Sequence, residues 1–156
     1  MSEKRIAVFA GTFDPITLGH VDIVKRGLSL FDEIIVAIGH NSSKKGFFPL
    51  EKREDWIKKI FKNESKVQVK SYEGLTINFC KSVNAKFILR GLRDGKDFEY
   101  ERSLGMMNHA IANEIETIYL VTEPKYSAIN SIIIRDILKH GGDASQFLPK
   151  EVSADV

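Results

Sequence analysis

The chain has 156 residues, a formal net charge of +2, 43% hydrophobic residues and 28% charged residues. These values predict one domain spanning residues 1–156, and they exclude a disordered or membrane-embedded chain. The small basic excess disfavours a nucleic acid as the main partner. Cys80 is the single cysteine and the four histidines are scattered, so we expect a cytoplasmic protein with no internal disulfide and no metal site built by the chain.

Short apolar runs alternate with amphipathic segments along the chain. The apolar runs predict strands at residues 6–10, 34–38, 67–70, 87–90 and 117–121. The amphipathic segments predict helices at residues 20–31, 51–61, 77–83, 98–113 and 132–140. This alternation predicts an α/β fold, with a doubly wound, five-stranded, mainly parallel sheet flanked by helices. Ligands of such sheets bind where the loops after the strands meet.

The first predicted strand leads into the segment G-T-F-D-P-I-T-L-G-H, residues 11–20. A loop of this kind that opens a helix is typical of a phosphate site, because free backbone N–H groups and the positive helix end point there. Gly11 would let a phosphate approach the backbone, and the hydroxyls of Thr12 and Thr17 are candidate phosphate ligands. His20 would donate a hydrogen bond to the phosphates. From these residues alone, an ordinary turn with a surface histidine is an equal alternative.

Basic residues follow two further predicted strands. Lys44 and Lys45 lie in the loop after the second strand, and Arg90 and Arg93 flank Gly91 after the fourth. Arginine at the mouth of a parallel sheet suits bidentate phosphate contacts. The alternatives are solvated surface charge for the lysines and a structural salt bridge for either arginine.

Polar residues precede the last predicted helix. Tyr126, Ser127, Asn130 and Ser131 stand just before it, where its N-terminus would face the same crevice as the first helix. Two helix N-termini that converge on one cleft favour an anion site. Taken alone, Ser131 is more commonly an N-cap.

Four segments together resemble bacterial phosphopantetheine adenylyltransferases of the nucleotidyltransferase superfamily. They are G-T-F-D-P-I-T-L-G-H, S-K-K, R-G-L-R with D-F-E-Y-E, and Y-S-A-I-N-S-I-I-I-R. The resemblance runs in order and spacing from Arg5 to F-L-P at residues 147–149, and T-L-G-H matches the threonine variant of the H-x-G-H signature. It implies a single Rossmann-like nucleotidyltransferase domain. The implied reaction transfers the adenylyl group of ATP to 4′-phosphopantetheine, giving dephospho-coenzyme A and pyrophosphate, the penultimate step of coenzyme A synthesis.

The resemblance also implies roles for residues at matching positions. His20 would stabilise the charge that builds on the α-phosphate, and Thr12 would orient the attacking phosphate. The implied catalytic residues are His20, Thr12, Lys44 and Arg93. The implied acceptor-binding residues are Thr12, Lys44, Thr76 and Arg90, with Leu75 also along the pantetheine arm. The implied ATP contacts are Thr12, Phe13, His20, Gly91, Leu92, Arg93, Glu101, Tyr126, Ser127, Ala128, Ile129, Asn130, Ser131 and Ile132.

Further expectations concern bound species and assembly. The resemblance implies Mg²⁺ that arrives with the ATP phosphates, feedback inhibition by coenzyme A, and a homohexamer built as a dimer of trimers. Relatives often continue into a final helix, so the end P-K-E-V-S-A-D-V is expected to be short or frayed.

Two departures from the family pattern limit the carry-over. Residues 129–132 read I-N-S-I where the family usually has I-S-S-S or I-S-S-T, so two hydroxyl contacts are missing. Thr76 stands where a larger apolar residue is common. Neither departure removes an implied catalytic group.

Three classes of function compete. Another nucleotidyltransferase, acting on nicotinamide mononucleotide or on glycerol 3-phosphate with CTP, is disfavoured by T-x-G-H and R-G-L-R. A silent nucleotide-binding module is disfavoured by the presence of both His20 and Lys44. An RNA- or protein-binding domain is disfavoured by the near-neutral charge and the lack of an aromatic and basic surface motif.

Overall fold

The structure, a computed structural model, describes residues 2–156. Its strands are β1 (Ile6–Gly11), β2 (Glu33–Gly39), β3 (Val67–Tyr72), β4 (Phe87–Leu92) and β5 (Glu116–Val121). Its helices are α1 (Leu18–Gly27), α2 (Leu50–Ile60), α3 (Thr76–Ser82), α4 (Gly95–Ile111), α5 (Ser131–Lys139) and α6 (Lys150–Ser153). Short 3₁₀ turns lie at Pro124–Tyr126 and Ser145–Phe147.

The strands form one sheet in the order β3-β2-β1-β4-β5, and each pairing is parallel. The predicted α/β fold is therefore confirmed. The chain builds outward from β1 to β3 and then returns to place β4 on the other side of β1. This reversal opens a crevice above the carboxyl ends of β1 and β4, which is where ligands of such sheets bind.

Apolar side chains pack on both faces of the sheet. Alternate residues of β1 point to opposite faces, so Phe9 joins the cluster under α1, α2 and α5 while Val8 joins the cluster under α3. Strand β2, which lies between β3 and β1, is buried along most of its length, as expected for a strand covered on both faces. The two clusters hold the carboxyl ends of the strands in fixed relative positions.

The first helix begins two residues before the predicted start and ends four before the predicted end. Thr17 caps its N-terminus, since its hydroxyl accepts from the His20 backbone N–H. After Gly27 the chain leaves the helix, yet Phe31 is still buried. The helical spacing of apolar residues continues past the end of α1 because Phe31 packs in the same apolar cluster as the buried residues of that helix.

The C-terminal segment is docked on the domain, so the expectation of a frayed end is wrong. Residues Lys150–Ser153 form α6, and Val152 is fully buried in the larger apolar cluster. The Trp56 indole Nε1–H donates to Asp155 Oδ2 at 2.8 Å, which ties the segment to α2. Within residues 2–156, no helix is both long and apolar enough to cross a membrane.

Candidate active site

Three adjoining cavities open at the carboxyl edge of the sheet. The histidine cavity, about 310 Å³, lies between the starts of α1 and α5 and contains His20. The lysine cavity, about 450 Å³, lies beside the loop after β2 and contains Lys44 and Lys45. The apolar cavity, about 150 Å³, lies between the start of α3 and α4. Arg90 lines all three and Thr12 lines the first two, so they form one continuous site.

The structure brings together most of the residues predicted to contact ATP. Those that line the histidine cavity are Thr12, Phe13, His20, Gly91, Arg93, Glu101, Tyr126, Ile129, Asn130, Ser131 and Ile132. Three other predicted contacts lie outside all three cavities as formed by the described residues, namely Leu92, Ser127 and Ala128. Their binding roles stay predictions.

The residues predicted to hold the acceptor surround the other two cavities. Thr76 lies between the lysine and apolar cavities, and Leu75 lines the apolar cavity. The Thr76 hydroxyl is 2.7 Å from the Tyr72 hydroxyl, within hydrogen-bonding distance. This partner explains how a polar residue is accommodated where a larger apolar one is common.

The imidazole of His20 is held by the backbone at the start of α1. The Thr17 backbone N–H donates to His20 Nδ1 at 3.0 Å, and the two residues form a reciprocal capping box. Because Nδ1 accepts this bond, the proton of the neutral ring lies on Nε2. The hydroxyl of Thr17 accepts the cap bond and Thr17 lines the histidine cavity, so its role as a phosphate ligand stays a prediction.

Two aromatic rings pack against His20, and burial lowers its pKa. The Phe13 ring lies edge-on at 5.1 Å between centroids, and the Phe9 ring lies at 6.2 Å. Burial, reinforced by the charges of Arg90 and Arg93, lowers the pKa of His20 from 6.5 to about 4. At neutral pH His20 is therefore an uncharged hydrogen-bond donor through Nε2.

Gly11 lines the histidine and lysine cavities and also makes room for an aromatic ring, so its role beside a phosphate stays a prediction. A Cβ at this position would come within 3.2 Å of the Phe13 ring, so the missing side chain makes room for that ring. Phe13 itself has a φ of 45°, in the left-handed region that side chains rarely adopt. The Phe13 ring therefore packs closely on Gly11 and also against His20.

Both predicted phosphate-binding arginines are paired with carboxylates. Arg90 donates to Glu101 through Nε and Nη2, the closest contact being 2.6 Å, and Nη1 donates to the Ala10 carbonyl at 2.8 Å. Arg93 donates to Asp97 through Nε at 2.9 Å and to the Ile129 carbonyl through Nη1 at 3.2 Å. These bonds orient both guanidinium groups at the edge of the histidine cavity. The bonds to Glu101 and Asp97 are salt bridges, which were the alternative interpretation of both arginines.

Comparisons with known proteins agree with this geometry. A family model described as Cytidylyltransferase-like matches residues 8–137. The phosphopantetheine adenylyltransferase of Christiangramia forsetii is 53% identical over 146 residues, which cover 94% of this chain and 96% of that protein. The phosphopantetheine adenylyltransferase of Flavobacterium psychrophilum is 53% identical over 148 residues, covering 95% and 97%. This chain belongs to the phosphopantetheine adenylyltransferase family.

A solved structure shares the fold at low identity. The bifunctional NMN adenylyltransferase/ADP ribose pyrophosphatase of Francisella tularensis superposes with a TM-score of 0.73 at 16% identity. The match covers 94% of this chain and 45% of that one. The fold is therefore common to nucleotide adenylyltransferases beyond the family.

The start of α5 shows how this member of the family accommodates Asn130. Asn130 Oδ1 accepts from the Ile132 backbone N–H at 2.8 Å, so Asn130 is the N-cap. The N-cap role considered for Ser131 is wrong, because its hydroxyl donates to the Pro15 carbonyl at 3.2 Å. Asparagine and serine cap helices about equally well, so replacing the usual family serine keeps the second helix N-terminus at the cavity.

Several polar residues of the lysine cavity were missed by the sequence analysis as site residues. They are Asp14, His40, Asn41, Arg53 and Tyr72. Asp14 lies within the motif of residues 11–20, and that position was a signal that could have identified it as a site residue. Arg53 lies in an amphipathic helix where a charged residue normally faces solvent, and only the structure shows it buried.

Lowering the pH is expected to remove stability through His20. Between pH 6.5 and about 4 the unfolded chain binds a proton at this residue and the folded chain does not, so the free energy of unfolding falls as the pH falls. The full effect is up to about 3 kcal/mol. Urea unfolding at pH 7 and pH 4.5 checks this, with His20→Gln as reference to cancel the other titrating groups. An equal stability difference between the two proteins at both pH values would contradict it.

Removing the charge of Asp97 is expected to tighten ATP binding. The bond to Arg93 lowers the pKa of Asp97, so its negative charge persists beside the cavity and competes with phosphate for that arginine. Asp97→Asn should lower the Kd for ATP about 3- to 10-fold, measured by calorimetry. Asp55→Asn, which removes an exposed carboxylate paired with Lys59 on α2, is the control for net charge. Weaker ATP binding in Asp97→Asn would instead make Asp97 a residue that orients Arg93.

Proposed function

We propose that this chain transfers the adenylyl group of ATP to 4′-phosphopantetheine, giving dephospho-coenzyme A and pyrophosphate. The observation that carries this proposal is the pair of adjoining cavities that share Thr12, one containing neutral His20 and the other containing Lys44. Two phosphate-bearing substrates bound in these cavities meet at Thr12. The names of the relatives that are 53% identical give the substrate class.

The chemistry needs no nucleophile from the protein. An oxygen of the phosphopantetheine phosphate attacks the α-phosphorus of ATP, a new P–O bond forms, and the bond to the pyrophosphate leaving group breaks. Catalysis then consists of holding the two phosphates in line and stabilising the charge that develops. His20 donates from Nε2 to the α-phosphate, and Thr12 orients the attacking phosphate.

The cavities divide the two substrates between them. ATP lies in the histidine cavity, where the N-termini of α1 and α5 and the guanidinium of Arg93 face its phosphates. The acceptor phosphate lies in the lysine cavity beside Lys44, with Arg90 at the junction. The pantetheine arm extends into the apolar cavity past Leu75 and Thr76.

Mg²⁺ enters with ATP in this proposal, because the carboxylates near the site are already bonded within the protein. Glu101 and Asp97 pair with arginines, and Asp14 accepts two backbone N–H groups. Within residues 2–156, no three His, Cys, Asp or Glu residues are grouped to hold a metal ion. The residues therefore do not form a protein cage for Mg²⁺, whose ligands are phosphate oxygens, and no step is assigned to a protein-bound metal.

The proposal extends to assembly, regulation and location. Helix α4 exposes Tyr100, Met106, Met107 and Ile111, and an exposed apolar surface of this kind supports burial in a homohexamer. Light scattering that reports a monomer at micromolar concentration would contradict the hexamer.

Coenzyme A, which contains the product, is the proposed feedback inhibitor. The proposed location is the cytoplasm, where a lone reduced cysteine is usual.

The decisive experiment is an acceptor panel. Purified protein is incubated with MgATP and 4′-phosphopantetheine, nicotinamide mononucleotide or glycerol 3-phosphate, with CTP in place of ATP for the last, and pyrophosphate is followed. We expect release with phosphopantetheine only. Turnover with another acceptor, and none with phosphopantetheine, would overturn the proposal.

A further inference from the structure

Two loops bring Thr12 to the junction of the histidine and lysine cavities and Lys44 into the lysine cavity. The first loop, residues 12–17, follows β1, and the second loop, residues 40–49, follows β2. Asp14 of the first loop bonds the backbone of the second. Its Oδ2 accepts from the Phe47 N–H at 2.7 Å and its Oδ1 accepts from the Phe48 N–H at 2.8 Å. Both carboxylate oxygens are thereby used to join the loops.

Arg53 of α2 makes a second connection between the same loops. Its Nη1 donates to the Thr12 carbonyl at 2.7 Å, and its Nε donates to the Phe48 carbonyl at 3.1 Å. The residue is only 6% exposed, so both bonds are largely shielded from water. A planar guanidinium presents donors in a fixed fork, which sets the spacing between the two carbonyls it reaches.

Gly46 allows the second loop to close over these two side chains. A Cβ at Gly46 would lie 3.0 Å from Arg53 Nη2 and 3.2 Å from Asp14 Oδ2. Both contacts are shorter than ordinary van der Waals separation. The space is therefore occupied by the two groups that join the loops.

We propose that Asp14 and Arg53 are positioning residues for adenylyl transfer, which fix Thr12 relative to Lys44 and so align the acceptor phosphate with the α-phosphorus. This inference rests on the proposed function. In-line transfer depends on near-attack geometry, and a displacement of about 1 Å costs on the order of 10²-fold in rate. Joining the two loops by four bonds to backbone groups reduces such displacement.

The test measures steady-state pyrophosphate release by Arg53→Lys and Asp14→Asn. Lysine carries one charged group in place of the fork and cannot hold both carbonyls at the same spacing, while asparagine replaces one acceptor oxygen with a donor. Each variant should lower kcat about 10- to 100-fold and raise the acceptor KM. The Kd for ATP without acceptor should stay within about two-fold, because Arg53 and Asp14 do not line the histidine cavity of the described chain.

Trp56→Phe is the matched control for loss of stability. It removes the bond from the Trp56 indole on α2 to Asp155, which follows α6. It keeps an aromatic ring near Phe48, whose ring centroid lies 4.9 Å from that of Trp56. We expect lower resistance to urea with unchanged kcat. An equal loss of kcat in Trp56→Phe would overturn the positioning role, since destabilisation alone would then explain the result.

A double-mutant cycle with Lys44→Ala separates positioning from an independent contribution. If Arg53 acts by placing Thr12 against Lys44, then Arg53→Lys should cost less in the Lys44→Ala background than in the wild type. The inference is overturned if the fold losses of Arg53→Lys and Lys44→Ala multiply fully in the double variant. It is also overturned if Arg53→Lys and Asp14→Asn keep kcat and KM within two-fold of the wild-type values. Should Arg53→Lys not fold, Asp14→Asn decides by the same criteria.

Wild-type protein that releases no pyrophosphate with phosphopantetheine overturns the proposed function and this inference together. An active wild type with unaffected variants overturns this inference alone.

Discussion

His20→Ala is expected to lower kcat for pyrophosphate release about 10²–10³-fold while the Kd for ATP changes little. The imidazole is neutral at pH 7, and the Thr17 N–H occupies Nδ1, so Nε2 is the atom that donates into the cavity. A donor whose bond strengthens as charge builds on the phosphate acts mainly in the transition state. Losing it therefore lowers kcat more than it weakens substrate binding.

Alanine at this position also leaves the Thr17 N–H without its partner. We expect a loss of about 1 kcal/mol in the free energy of unfolding, which should be measured so that the assay is run on folded protein. His140→Ala is the matched control, because that histidine lies at the far end of α5 and is 71% exposed. Turnover of His20→Ala close to that of the wild type would refute the role of His20.

Lys44→Ala is expected to weaken both acceptor binding and the chemical step. Lys44 lines the lysine cavity, and its ammonium is the proposed contact of the acceptor phosphate, a charged bond that strengthens as the phosphate attacks. The value of kcat/KM for phosphopantetheine should fall about 10- to 100-fold, which corresponds to ~1.4–2.7 kcal/mol. The KM for ATP should change less, because Lys44 lines the lysine cavity and not the histidine cavity of the described chain.

Lys62→Ala provides the control for the loss of one positive charge. Lys62 is exposed and follows the end of α2, outside the three cavities formed by residues 2–156. Its kinetics should match those of the wild type. An unchanged acceptor KM together with an unchanged kcat in Lys44→Ala would remove Lys44 from the site.

The sequence predicted the fold well because the signals were local and repeated. Each predicted strand overlaps an observed strand. Strands β1 and β2 are buried apolar runs, whereas the edge strand β3 alternates Val67 and Val69 with polar residues. The first helix was less well predicted. Its start depends on a capping box between Thr17 and His20, and its apolar spacing continues to Phe31 although the helix ends at Gly27.

The bonds that tie the loops together could not be found from the sequence. Asp14 bonds backbone groups 33 and 34 positions away, and Arg53 bonds one 41 positions away. Each of these partners is a main-chain atom, which any residue type supplies. No motif or spacing therefore marks such contacts.

The sequence by itself determined the class of fold, the family and many of the residues that gather at the crevice. Those conclusions rest on apolar periodicity and on short motifs, which are properties of neighbouring residues. The tertiary structure decided the state of each group, including the Nε2 proton and lowered pKa of His20, the carboxylate partners of Arg90 and Arg93, and the capping role of Asn130. Acidity and hydrogen-bond partners depend on burial and on distances between atoms, and most of these are set only when distant segments of the chain pack together.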